Sequence, residues 1–391
     1  MRAADGHLPA AGGRDEPLHG RALTRAPALV GLLALGCGAP VEESTSGRLR
    51  VLETWGWAGS NGRIAMSVVP EPGETRLLAT AIPVDPTLDC YVRQLEVPGA
   101  GAVYDFSAEL DSDRRRSNAG YVSDIATLNW PITPSDVPLV PGRSHQVQFG
   151  VATDALVPTP GWLRMAVVLA GDDGLPTRTL AVDLVLYGRI ADDPALRDAT
   201  DGAIERWRVL YETVGIDLAV TSRTLDGPVL PPPNAPEGGE LWDRIAATGP
   251  LDAVHVVVAP DEGSSDRGVV GVSGDIPGPL VPSRRTGIRI VPERLCGVDG
   301  ACGPADVRMF GEVMAHEVGH FLGLFHPVEQ DWGRWDALSD TVECDALLPC
   351  EQALGTNVMF PYPVCTVDGC VPQTALTEQQ GDVLTGWVGV Q

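Results

Sequence analysis

Lysine is missing from this chain altogether: all 28 basic residues are arginine, set against 52 acidic ones, for a formal charge of −24. A protein this acidic lacks the basic footprint that nucleic-acid binding needs, which removes that class of function. A soluble surface that keeps apart from its neighbours accounts for the charge. With 45 glycines and 34 prolines, the all-arginine basic set fits high-GC coding bias better than a functional device. Long apolar runs are also missing. The one near the N-terminus, Ala26 to Gly36, is too short to cross a membrane as a helix. No two cysteines stand in C-x-x-C spacing, which weakens any reading of them as ligands of a structural zinc. What is present is 391 residues at 44% hydrophobic content, enough for two domains with substantial cores.

The N-terminus reads as an export leader. Arg21 and Arg25 precede the apolar run, which has the length of a signal h-region, and Cys37 follows at once. Ala34-Leu35-Gly36-Cys37 resembles a bacterial lipobox, with alanine where leucine is usual. It implies a lipidated Cys37 and a membrane reached only through that anchor; plain cleavage and secretion is the alternative. The polar stretch before Arg21 is long for an n-region and fits a start codon assigned too far upstream.

Of seven histidines, three lie in His316-Glu317-Val318-Gly319-His320-Phe321-Leu322-Gly323-Leu324-Phe325-His326, an unbroken H-E-x-x-H-x-x-G-x-x-H. Histidines four apart on a helix share a face, so both imidazoles reach one ion. Glu317, next to the first, is placed to hydrogen-bond a water on that ion. Gly323 tolerates the turn that breaks the helix and brings His326 round as a third ligand. Three protein ligands with an open fourth position are what a catalytic zinc requires. A bare H-E-x-x-H also fits an amphipathic helix with satisfied histidines. The whole pattern arises by chance in a chain this size with a probability on the order of 10⁻⁵.

With these residues in hand, the C-terminal half resembles the metzincins, zinc peptidases with this extended motif and a downstream methionine turn. Asn357-Val358-Met359-Phe360-Pro361-Tyr362 supplies the turn, with Met359 as the pedestal beneath the metal. Asp336-Ala337-Leu338-Ser339-Asp340-Thr341 resembles the D-x-V-x-D-T segment of the pappalysin-like branch, leucine replacing valine. The resemblance implies an α+β catalytic domain, a twisted mixed sheet plus helices with zinc on the active-site helix. It implies one catalytic Zn²⁺ on His316, His320 and His326, Glu317 as general base, and a protein or peptide substrate. Several metzincin branches place a tyrosine two residues after the turn methionine. Here Pro361 holds that position, so Tyr362 receives no catalytic role. Glu329, Asp331, Asp336, Asp340, Glu343 and Asp345 crowd the loops after the motif, a set that suits calcium or simply a solvated acidic surface. Some pappalysins bind calcium, which implies one structural Ca²⁺ with Asp336 and Asp340 among its ligands.

In an exported chain, Cys296, Cys302, Cys344, Cys350, Cys365 and Cys370 are expected to form disulfides. The simplest pairing joins Cys296 to Cys302 and pairs the other four among themselves, adjacent or nested. Cys90 is left over. In some metzincins an upstream thiolate fills the fourth zinc position and enforces latency; an ordinary buried thiol is the plainer reading of Cys90.

The expected organisation is a leader over 1–37, a polar tether over 38–47, an all-β sandwich-like domain over 48–178 and the peptidase-like domain over 179–391. Short alternating segments over 63–69, 91–97, 102–110, 145–152 and 162–170 carry the sandwich reading. Beyond it, strands are expected at 180–187, 216–220, 253–259, 268–276 and 287–291, with helices at 193–214, 304–323 and 376–387. Within the fourth strand, Val269 to Ser273 is the candidate edge for pairing with extended peptide. The function expected is an exported or surface-anchored zinc endopeptidase. A non-catalytic zinc-containing adhesin and a zinc hydrolase of a non-peptide substrate are the alternatives.

Overall fold

In the computed structural model, which describes residues 39–391 apart from 117–122, 172–173, 175–176, 234, 236–237, 262–268, 297–300 and 368, the alternating segments of the N-terminal half become strands. The segment read as a leader, 1–37, with the lipidation candidate Cys37, lies outside the described residues. In order come β1 (Glu42–Ser46), β2 (Leu49–Ala58), β3 (Arg63–Val68), β4 (Glu74–Pro83), β5 (Asp89–Val97), β6 (Gly101–Asp105), helix α1 (Phe106–Leu110), β7 (Arg114–Arg115), β8 (Ala126–Trp130), β9 (His145–Ala152) and β10 (Gly161–Gly171). All but β7 pair antiparallel, in two sheets ordered β1-β2-β10-β4-β8 and β3-β9-β5-β6. Apolar side chains such as Leu77, Val147, Phe149, Leu163 and Val167 are fully buried between and around them.

Two expectations are corrected here. The stretch read as a tether over 38–47 contains β1, whose polar residues pair with Leu49–Glu53 as a sheet edge. The single segment over 102–110 breaks at Asp105, whose carboxylate accepts from the Ser107 N–H at 2.9 Å and starts α1.

The C-terminal half is mixed. Its elements are β11 (Arg178–Tyr187), α2 (Pro194–Glu212), β12 (Ile216–Leu225), α3 (Gly239–Thr248), β13 (Val254–Val258), β14 (Gly271–Ser273), β15 (Ile288–Ile290), α4 (Pro304–Phe321), β16 (Trp335–Asp336), α5 (Leu347–Leu354), β17 (Cys365–Thr366), β18 (Gly369–Cys370) and α6 (Glu378–Gly386). One sheet runs β12-β11-β13-β15-β14, parallel except for β14, the antiparallel strand at its edge. Of the strand expected over 268–276, only Gly271–Ser273 pairs as a strand, and Gly268 lies outside the described residues. The chain is therefore α+β, with several sheets and six helices among the described residues.

Helix α4 is held from behind by α2. Tyr211 on α2 donates its hydroxyl to the Ala315 carbonyl at 3.0 Å, and Arg206 donates to Glu312 at 2.8 Å. A single apolar cluster runs from Leu49 and Val168 through Leu180 and Val256 to Met314 and Val388, so the β-rich and mixed halves share one core. Polar ties cross the same boundary: Arg76 donates to Val390 O at 3.0 Å and Thr127 to Pro277 O at 2.5 Å.

Candidate metal centre

Helix α4 begins at Pro304, where the Gly303 N–H meets the Asp306 carboxylate at 2.8 Å, and carries His316 and His320 on one face. It ends at Phe321. Gly323 takes φ +110°, a conformation L side chains rarely adopt, and its N–H still reaches the His320 carbonyl at 2.9 Å. The chain then turns back and delivers His326. The three Nε2 atoms stand 3.1 Å (His316–His320), 3.1 Å (His320–His326) and 3.4 Å (His316–His326) apart.

Each ring is oriented through its other nitrogen. His316 Nδ1 lies 2.7 Å from the Val358 carbonyl, and His320 Nδ1 lies 2.7 Å from the Leu324 carbonyl. His326 Nδ1 lies 3.0 Å from a Glu329 carboxylate oxygen. These acceptors require a proton on Nδ1, so in the neutral ring each Nε2 presents a lone pair. Burial, with His326 close by, pushes His316 down to about 3, and burial beside the other two imidazoles drives His320 well below its ordinary value. Three converging lone pairs make a site that could hold a cation. Three nitrogens at ~2.0–2.1 Å from one tetrahedral ion stand about 3.3–3.4 Å apart, close to the spacing here. The donor set fits zinc. Among the described residues, these three histidines are the grouping of three or more His, Cys, Asp or Glu side chains able to hold one ion.

Glu317 faces the sheet. Its carboxyl is pushed up to about 8 by burial, opposed by a hydrogen bond from the Ser273 N–H on β14. Space beside it exists because residue 271 is glycine: a Cβ there would lie 2.5 Å from Glu317 Cγ and 2.8 Å from Oε1. The candidate base therefore sits against the edge strand. Beneath the helix, Met359 is fully buried, and a Cβ on Gly319 would lie 2.5 Å from its sulfur. The turn that carries Met359 also supplies the Val358 carbonyl to His316. Asn357 holds this turn, accepting from Met359 N–H at 2.8 Å and donating to Gln380 of α6 at 2.9 Å.

The remaining sequence-derived residues fall elsewhere. Asp336 accepts from Leu338 N–H at 3.2 Å and the Thr341 hydroxyl at 2.6 Å; Asp340 accepts from Thr377 at 3.0 Å and Gln379 N–H at 2.8 Å, at the start of α6. These two carboxylates thus serve loop and helix ends. Tyr362 donates towards Glu351 at 3.4 Å. The disulfides are Cys296–Cys302, Cys344–Cys350 and Cys365–Cys370, all local and none nested. Cys90 is buried in the β-rich core, its thiol 3.2 Å from the Ala81 carbonyl, and burial raises its pKa well above the usual thiol range. Sequence reading missed Glu329 as a histidine partner and Gly271 as the space for Glu317. A carboxylate three residues after the last motif histidine was the available signal for the first.

No family model matches the chain, and no curated protein matches it. Among solved structures, the crystal structure of metalloproteinase-II from Bacteroides fragilis is similar at 14% identity over 45% of this chain and 60% of that one, with a TM-score of 0.26. The chain thus spans about three fifths of that protein's length. A likeness so slight leaves the reading to the geometry of the site.

Proposed function

We propose that this chain is a zinc-dependent endopeptidase of the metzincin type, most like the pappalysin-like branch, acting outside the cytoplasm. One observation carries the reading. Three Nε2 lone pairs converge at 3.1–3.4 Å beside a carboxylate packed on a sheet edge. When bound to His316, His320 and His326, zinc supplies Lewis acidity, acidifying water and polarising a carbonyl. The protein's own part is positional. Edge strand β14 offers main-chain groups to an extended peptide, which sets a scissile carbonyl between the strand and the histidines. Glu317 takes the proton of the attacking water on a carboxylate oxygen and returns it to the leaving amine.

Three disulfides support an oxidising, exported setting for the protein. We read residues 1–37 as the leader, Cys37 as the lipid acceptor, 48–178 as a sandwich-like module and 179–391 as the peptidase portion. The test is metal content and cleavage of casein or a quenched peptide by purified residues 38–391, beside Glu317→Gln. The expected result is one zinc per chain in both proteins, with chelator-sensitive turnover in the first alone. Zinc without turnover in either would refute the peptidase reading.

A further inference from the structure

We infer that Glu329 is the positioning residue of the third histidine and sets how tightly the centre holds its metal. This rests on the zinc reading above. The three rings are not oriented alike. His316 and His320 sit on a helix and turn Nδ1 to neutral backbone carbonyls, Val358 O and Leu324 O, each at 2.7 Å. His326 comes after the turn at Gly323, so no helix fixes its ring. Its Nδ1 meets an anionic acceptor, Glu329 Oε2, at 3.0 Å.

The backbone that carries the carboxylate is fixed by packing and by hydrogen bonds within its turn. Val328, next to it, is fully buried in a small cluster with Cys350, Leu354 and Phe360. The Glu329 N–H donates to Arg334 O at 2.9 Å, and the Trp332 N–H returns to Glu329 O at 2.9 Å, where Trp332 takes φ +57°. Arg334 closes the turn by pairing with Asp331 at 2.6 Å. A carboxylate on Nδ1–H fixes the tautomer and raises electron density at Nε2, which strengthens the imidazole as a ligand. His326 is then the strongest donor of the three, and Glu329 is what makes it so. The competing account is a partly exposed ion pair three residues apart, which would contribute little to anything.

Two substitutions separate these accounts. Glu329→Gln keeps an acceptor of the same size without charge, and Glu329→Ala removes both. Zinc affinity of the full chain would be read by competition with a chromophoric chelator. The Co²⁺-substituted visible spectrum would report ligand field independently of turnover. The Ala variant should bind zinc about 10–100-fold more weakly and the Gln variant fall between it and the parent, with unchanged apoprotein melting. Both should shift the Co²⁺ bands. Wild-type affinity and spectrum in Glu329→Gln and Glu329→Ala, while His326→Ala loses metal, would overturn the inference alone. Should the Ala variant fail to fold, the Gln variant decides by the same two readouts. A parent protein that binds no zinc would instead sink the metal reading itself.

Discussion

Replacing Gly271 with alanine should disable the site while leaving fold and metal ligands in place. Gly271 has no positive φ, so its backbone accepts alanine, and strand propensity if anything improves. The obstacle is Glu317. The new methyl would lie 2.5 Å from its Cγ, 2.9 Å from Cδ and 2.8 Å from Oε1. Carbon atoms rest at ~3.5–4.0 Å, so something must give by about 1 Å. The strand is pinned by pairing of Gly271 with Ile290, and α4 by its buried face against α2. The side chain of Glu317 is therefore what moves, away from the Ser273 N–H that holds it. A misplacement of ~1 Å in a catalytic group costs about 100-fold in rate. Turnover of a quenched peptide by Gly271→Ala should fall in kcat by about that factor, with zinc content and melting temperature near those of the parent. A rise in KM at unchanged kcat would mean that the methyl blocks the substrate strand and leaves the base where it was. Full turnover in the metal-loaded variant would refute the packing of Glu317 on β14.

Two further outcomes concern stability. Burial pushes the Asp336 carboxyl up to about 7, against the hydrogen bonds from Thr341 and Leu338. A folded value above the unfolded one means that its contribution is fully present below about pH 4 and is lost as pH rises through 7. Asp336→Asn, which keeps the Oδ1 acceptor, should melt like the parent at pH 4 and higher than it at pH 8. A lower melting temperature at pH 8 that appears only with added calcium would show the carboxylate serving a cation instead. Glu312, buried on α4, accepts from Arg206 at 2.8 Å and Arg308 at 3.1 Å. Glu312→Ala leaves two arginines facing a void and should cost about 3–5 kcal/mol in urea unfolding. A loss below ~1 kcal/mol would place the pair among surface contacts without consequence.

The centre was legible where its determinants are local. Histidines four apart on a helix and a glycine that permits a left-handed turn fix the relation of His316, His320 and His326 within a few residues. The Met359 turn follows from its place after the motif, and the structure puts its sulfur under Gly319. What could not be read depends on pairing between distant segments. The strand expected over 216–220 runs on to Leu225, although Thr221 to Leu225 look like a polar exit from the sheet. Parallel pairing with β11 carries it further, because Arg223 reaches across to buried Asp183 at 2.8 Å. The segment over 102–110 looked continuous because apolar content hides a capping aspartate. Glu329 was visible only as one of several acids; its role depends on a turn whose shape composition does not specify.

The relation of the two halves shows the same limit, and it bears on the site. The loop that leaves edge strand β14 runs back to β15 past the β-rich layer. Thr127 of β8 holds Pro277 O at 2.5 Å, Arg164 of β10 holds Pro282 O at 2.8 Å, and Asp124 pairs with Arg285 at 2.6 Å. On its other side, Gly278 N–H satisfies the Phe321 carbonyl at 2.7 Å, one of the groups a helix end leaves open. A Cβ on Gly278 would lie 2.0 Å from the Phe321 ring, so this approach of backbone to helix end requires glycine. The loop is thereby fastened to the β-rich sheet on one face and to the end of the histidine-bearing helix on the other. Glu317 packs on the strand that begins this loop, and His320 lies one residue before the helix end. The β-rich half, in which no motif announces chemistry, thus holds the edge strand and the histidines in a common frame.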